Sequence, residues 1–288
     1  MQIILNLLIL AVGVSMLVKA ADWFTDAAIE VAHKLRIPKI IVGVTFVSLA
    51  TTLPEFAVSL TATVAGKVDM AVGNAVGSTI CNVGLILGLC AMLSPMGVAR
   101  AGFLVSGAGL LALGGTFAVL GYFFQDGSRI TGVIMILCLL VYIVAMVHSS
   151  LQHRRRNTEE AQPSMMTTAK VILLFVLGAI GIVAGSKLMV YAAEKIAVSL
   201  GVSELVISLT IEAIGTSTPE LVVSLASIIK KERSLSIGNI IGANILNLAW
   251  VIGACSLVRP LPIQTRSLVF DFPIMLLMSL LLLIFGWT

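Results

Sequence analysis

A chain of 288 residues that is 59% hydrophobic and 11% charged, with mean hydropathy +1.10, lies outside the ordinary soluble class, where about 25% of residues carry charge. Many apolar runs approach the length of about 20 residues that spans a bilayer as a helix, so composition points to an all-α polytopic membrane protein and excludes a soluble binding module. The formal charge of +4 does not indicate a nucleic-acid partner, because Lys and Arg fall in the loops between apolar runs; the partner that composition implies is the lipid bilayer.

The first apolar run covers about 3–20 and continues as an amphipathic helix to about 34, with Asp22, Asp26 and Glu30 at four-residue spacing on its polar face. It lacks the basic start and small-residue cleavage site of a signal peptide and reads as a retained membrane helix. Runs two and three, about 38–65 and 71–93, are joined by Gly66-Lys67-Val68-Asp69. Runs four and five are about 101–121 and 129–148, followed by the long polar stretch His148–Thr168 with Arg154, Arg155 and Arg156. Runs six to nine cover about 169–199, 203–229, 236–258 and 267–286. Cys81, Cys90, Cys138 and Cys255 lie within apolar runs without metal-ligand spacing and read as reduced packing residues.

Residues 44–88 recur at 209–253 with a constant offset of 165 and no gap. Thirteen of the 45 paired positions are identical, among them Thr51/Thr216, Pro54/Pro219, Glu55/Glu220, Ser59/Ser224, Gly73/Gly238, Asn74/Asn239, Gly77/Gly242 and Asn82/Asn247. These are mostly polar and backbone-special residues, whereas a repeat kept only for packing would share its Leu and Val. The organisation expected is two copies of about five helices each, 1–150 and 169–288, joined by a basic linker, 151–168. Phe285–Thr288 falls opposite Leu120–Phe123, where the first copy continues through a turn and a fifth helix. Nine helices are therefore visible, and a tenth is expected to be missing through truncation. Five spans, an odd number, separate a residue from its mate, so the copies enter the membrane in opposite directions. Inverted repeats with a midplane site at their interface are a recurring transporter plan. Loops 1–2, 3–4, 5–6 and 7–8 carry eleven Lys and Arg against five on the other side. The basic side, with 151–168, is expected in the cytoplasm and the N-terminus outside.

Glu55 and Glu220 fall in the middle of spans, where an ionisable group is costly and generally functional. Each follows a proline, which leaves the carbonyl four residues earlier, that of Ala50 or Gly215, without its helical donor. Hydroxyls surround them: Thr51 and Thr52 in one copy, Thr216 and Ser217 in the other. Asn82 and Asn247 add amide oxygens from the next span, and Ser78 shares the face of Asn82 one turn earlier, while its mate is Ala243. Every donor is oxygen, which suits hard cations such as Ca²⁺ and Na⁺ rather than Zn²⁺. A single proline kink or GxxxG pair is ordinary packing. Two mid-membrane glutamates in matching surroundings are not, and they point to one shared cation site. Its two negative charges are neutralised by one Ca²⁺, two Na⁺ or two protons; a third Na⁺ leaves the site at +1.

The pairs TTLPE/TSTPE and GNAVGSTICN/GNIIGANILN resemble the α-repeats of the cation/calcium exchanger superfamily, in its bacterial sodium/calcium exchanger-like branch. The resemblance covers nearly the whole chain. It implies ten helices, with helices 2, 3, 7 and 8 building the site and helices 1 and 6 sliding across them. By motif position it implies ligands at Thr51, Thr52, Glu55, Ser78, Asn82, Thr216, Ser217, Glu220 and Asn247, with backbone carbonyls from Ser48 and Ala213. Ala50 and Ala243 depart from the family pattern, and Ala243 weakens the case for three Na⁺. Glu212, eight residues before Glu220, is an additional intramembrane carboxylate that reads as protonated and hydrogen-bonded or as an accessory proton or cation position.

The function expected is secondary antiport of Ca²⁺ against Na⁺ across a bacterial inner membrane, by a monomer without a cofactor, with Ca²⁺/H⁺ exchange on the same scaffold as the alternative. A cation channel fits single-copy inverted repeats poorly. An intramembrane enzyme is disfavoured because His33, His148 and His153 lie at span ends or in the polar loop and no nucleophile–base pair falls within the spans.

Overall fold

The computed structural model describes residues 2–94, 100–124, 126–156, 164–203 and 213–287, and the chain is helical almost throughout. Helix α1, Gln2–Leu35, is unbroken; at 1.5 Å per residue it is roughly 50 Å long, enough to cross a bilayer and extend beyond it. Helices α2, Lys39–Thr51, and α3, Leu53–Val64, meet at a bend of 45°. Then come α4, Val68–Leu93, and α5, Arg100–Phe124. Helix α6, Arg129–Arg156, continues past the end expected near 148 and takes in the three arginines. Helix α7, Thr168–Ser199, precedes α8, Ala213–Thr216, and α9, Thr218–Ile229. Helix α10 is Arg233–Val258 and α11 is Ser267–Gly286. Among the described residues seven helices, and the bent α2–α3 pair as an eighth, are long and apolar enough to cross a membrane. The start of the run expected over 203–229 lies outside the described residues.

Helix α10 is the hub. Its apolar window is 83% buried, against 22–44% for the other spans. Glycine allows that burial by letting backbones touch. A Cβ on Gly242 would lie 2.5 Å from the Val44 carbonyl and from Ser48 Oγ, and one on Gly43 would lie 2.6 Å from the Leu235 carbonyl. On its other flank, a Cβ on Gly132 of α6 would lie 2.7 Å from the Gly253 carbonyl. Helices α1 and α7 form a second close pair, with Gly13 against the Met189 backbone and Gly185 against the Leu17 backbone, each at 2.9 Å.

The loops sort into two ends. At one end Lys230 bonds Asp22 and Asp26 of α1, both at 2.6 Å, and Lys39 bonds Glu232 at 2.6 Å. Burial pulls the Lys230 pKa down, but its bonds to the two aspartates outweigh this and hold it above the usual lysine value. Glu30 accepts there from Ser164 Oγ at 2.6 Å and from the Met165 and Met166 amides at 3.4 Å. At the other end strand β1, Asp126–Gly127, pairs antiparallel with β2, Leu261–Pro262, and Gly66 lies against the Arg259 guanidinium.

Gly43→Ala places a methyl against backbone that cannot swing aside, so α2 and α10 must separate. The expected cost is about 1–3 kcal/mol, read as a lower midpoint of thermal unfolding in detergent. Gly114→Ala meets only the ends of the Leu276 and Met275 side chains, at 3.2 and 3.4 Å, and is expected to leave the midpoint nearly unchanged.

Candidate cation site

The two glutamates occupy equivalent places because the chain breaks equivalently. In each copy the helix ends after Thr51 or Thr216 and restarts at Leu53 or Thr218, with Pro54 or Pro219 second in the new helix. Proline is comfortable in a first turn, where its missing N–H has no intrahelical partner to lose. The expected kink is therefore a full break, with Thr52 (φ −81°, ψ −4°) and Ser217 (φ −89°, ψ 5°) as the joints. Glu55 and Glu220 lie in the first turns of α3 and α9. There the positive end of the helix dipole favours a carboxylate. Both are wholly buried, and Thr52, three residues before Glu55, reaches Glu220 Oε1.

One hydroxyl of the first copy reaches a glutamate of the second, and neighbouring polar groups bond across the copies. Thr52 donates to Glu220 Oε1 at 3.4 Å, and Thr51 donates to Asn239 Oδ1 at 3.2 Å and to the Ser48 carbonyl at 3.3 Å. The Ser48 carbonyl also accepts the Thr52 N–H at 2.9 Å, while its hydroxyl is spent on the Val44 carbonyl at 2.6 Å. Asn82, Asn247, Ser78 and Ser217 are buried and Thr216 is half-buried. Ala213 begins α8; Glu212 lies outside the described residues. Both carboxylate oxygens of Glu55, Oε2 of Glu220, Oδ1 of Asn82 and both amide atoms of Asn247 are buried with no hydrogen-bond partner among the described residues. Buried polar atoms are normally paired, and an unpaired buried charge costs most of all. The helical stretches that begin at Asn82 and Asn247 pack against the helices that carry Glu220 and Glu55, and the chemistry of these groups suits a desolvated cation.

Several supporting features were not singled out from the sequence. Asn74 donates to the Glu55 carbonyl at 3.3 Å and to Ser59 Oγ at 2.9 Å. Asn239 repeats this in the other copy, donating to the Glu220 carbonyl at 3.5 Å and to Ser224 Oγ at 3.2 Å. Each asparagine clips the glutamate-bearing helix to the next one. The signal was present in the repeat, since Asn74/Asn239 and Ser59/Ser224 are identical pairs. Asn82 and Asn247 each open a π-helical stretch, Asn82–Leu87 and Asn247–Val251, a local widening common at functional sites with no composition signature. The carbonyl of Gly215, freed by Pro219, is taken by Ser186 Oγ of α7 at 3.0 Å. Phe56 stacks on Trp250 with centroids 4.2 Å apart, joining the copies beside the glutamates.

The profile of the sodium/calcium exchanger protein family spans residues 5–151 and 170–288. The chain belongs to this family. It is 33% identical to the sodium/calcium exchanger MaX1 of Methanosarcina acetivorans, over 99% of this chain and 93% of that protein. It is also 33% identical to the inner membrane protein YrbG of Escherichia coli, over 97% and 88%. Its fold matches that of the sodium-calcium exchanger NCX_Mj, solved after soaking with 2.5 mM Na⁺ and 10 mM Sr²⁺, with TM-score 0.86, 31% identity and coverage of 99% and 91%. The protein is thus a helical membrane antiporter that exchanges cations, and not an enzyme.

Replacing Asn239 by Leu removes both clip bonds and the acceptor of Thr51. Loss of about 1–3 kcal/mol is expected from the polar groups left unpaired, measured by thermal unfolding in detergent. Asn74→Leu is expected to cost less, because Asn74 is only partly buried and its surroundings can rehydrate.

Proposed function

We propose that this exchanger moves Ca²⁺ in one direction against Na⁺ in the other, by alternating access at one site between Glu55 and Glu220. The observation that carries the proposal is the pair of wholly buried carboxylates with three oxygens unpaired among the described residues. Two carboxylates in a low-dielectric interior need positive charge beside them, and the groups around them are oxygen donors. Thr51, Thr52, Asn82, Thr216, Ser217 and Asn247, with Ser78 and the carbonyls of Ser48 and Ala213, complete the proposed set. One Ca²⁺ or two Na⁺ neutralises the pair, so the ions compete and neither binds beside the other.

The repeats are read as inverted. In support, α3 ends beside Gly66, which lies against Arg259, while its counterpart α9 ends at Lys230 against Asp22 and Asp26, at the opposite end of the molecule. Lys34, Lys39 and the 151–168 segment belong to the basic side, which we place in the cytoplasm, with the N-terminus outside and the membrane a bacterial inner membrane. The exchanger is taken to work as a monomer.

The test is ⁴⁵Ca²⁺ uptake into proteoliposomes loaded with Na⁺. Uptake is expected to require internal Na⁺ and to fall to the empty-vesicle level in Glu55→Gln and in Glu220→Gln. Uptake driven by a pH gradient without Na⁺ would instead support proton exchange at the same pair. Coupling is read from voltage. With three Na⁺ per Ca²⁺, a clamp of 100 mV shifts the equilibrium Ca²⁺ ratio by roughly 40–50-fold; with two it shifts nothing. Ala243, lacking the hydroxyl that Ser78 supplies, favours two.

A further inference from the structure

Asn82 and Asn247 are mates in the repeat, yet the structure treats them differently. Asn82 donates from Nδ2 to Asn244 Oδ1 at 2.9 Å, and its own Oδ1 has no partner among the described residues. Neither amide atom of Asn247 has a partner among the described residues. All three asparagines are wholly buried. The difference lies in the partner. Asn244 has Thr79 as its mate, and Thr79 spends its hydroxyl on the Ala75 carbonyl of its own helix at 2.8 Å. The first copy therefore offers Asn247 nothing equivalent to what Asn244 offers Asn82.

A carboxamide has an acceptor end and a donor end. It can present oxygen to a cation only if its amino group is directed elsewhere, and in a dry interior an acceptor for that amino group stabilises the orientation; among the described residues Asn82 Nδ2 has one, whereas Asn244 Nδ2 and Asn247 Nδ2 do not. An unrestrained amide beside two carboxylates is drawn to turn its N–H₂ toward them, which places positive hydrogens where a cation belongs. We infer that Asn244 is a positioning residue that holds the Asn82 amide with its oxygen toward the cation. Asn82 is thereby a fixed oxygen ligand, whereas Asn247 is free to present either end. This rests on the two-glutamate site proposed above. It assigns Asn244 no contact with the ion: its oxygen is occupied by Asn82.

The experiment is a double-mutant cycle in Na⁺-loaded proteoliposomes, with KM for Ca²⁺ and maximal rate measured separately. Asn244→Ala removes the acceptor, and KM is expected to rise about tenfold while the maximal rate stays within about twofold. Asn82→Asp makes both terminal atoms oxygen, so orientation ceases to matter; in that background Asn244→Ala is expected to leave KM unchanged. Thr79→Ala, the matched control, is expected to leave KM unchanged in the wild-type background. A KM rise that persists undiminished in the Asn82→Asp background overturns the inference, since it would mean that Asn244 merely supports α10. If Asn244→Ala fails to fold, Asn244→Asp decides: it keeps an acceptor for Asn82, so KM should not rise, and a rise overturns the inference. Failure of the underlying site is distinguishable, because then Glu55→Gln would transport normally whatever Asn244 does.

Discussion

Two carboxylates, those of Glu55 and Glu220, are wholly buried in this exchanger, and much of what surrounds them answers that constraint. Removing a carboxylate from water costs several kcal/mol even after the protein relaxes, and a second one nearby adds repulsion. The chain offsets part of this by breaking both site helices one turn before the glutamates, so that each carboxylate faces a helix N-terminus. At Glu220 it offsets a little more with one hydroxyl from the opposite copy, that of Thr52. What remains is the need for positive charge, and under the proposed function that charge is the cargo. A site this costly when bare gives a physical reason for movement to be coupled to occupancy.

The interlock of the copies follows from how closely helices must approach to share such a site. Gly43, Gly238 and Gly242 let α2 and α10 touch through their backbones, and so bring Thr51 within reach of Asn239; Asn82 of α4 reaches Asn244 from another side. The copies are thus joined both by close backbone packing and by polar pairs between them.

The repeat is identical at some positions of the proposed site and its supports and differs at others. Thr51/Thr216, Glu55/Glu220 and Asn82/Asn247 are identical pairs, while Ser78/Ala243, Thr79/Asn244 and Ala21/Ser186 are not. Each difference has a local consequence. One hydroxyl is absent from the second copy. One amide is oriented by a neighbour while its mate is not. One proline-freed carbonyl is taken by a serine of α7.

The sequence by itself determined the membrane class, the run of helices, the repeat with its offset and the two glutamates, because each depends on composition or spacing along one chain. Hydropathy marks spans whatever they pack against, and a proline before a glutamate is visible wherever it occurs. It also carried the residues of the Asn74–Ser59 and Asn239–Ser224 clips as repeat identities, without revealing that they bond. Only the tertiary structure decided that the proline kinks are complete breaks, that π-helical turns open at Asn82 and Asn247, that Ser186 takes the Gly215 carbonyl and that Asn244 is the partner of Asn82. These are pairings between residues up to 162 positions apart or changes in hydrogen-bond register within a helix. No local pattern encodes them, because the partner that satisfies a buried amide or carbonyl is selected by which helix lies against it.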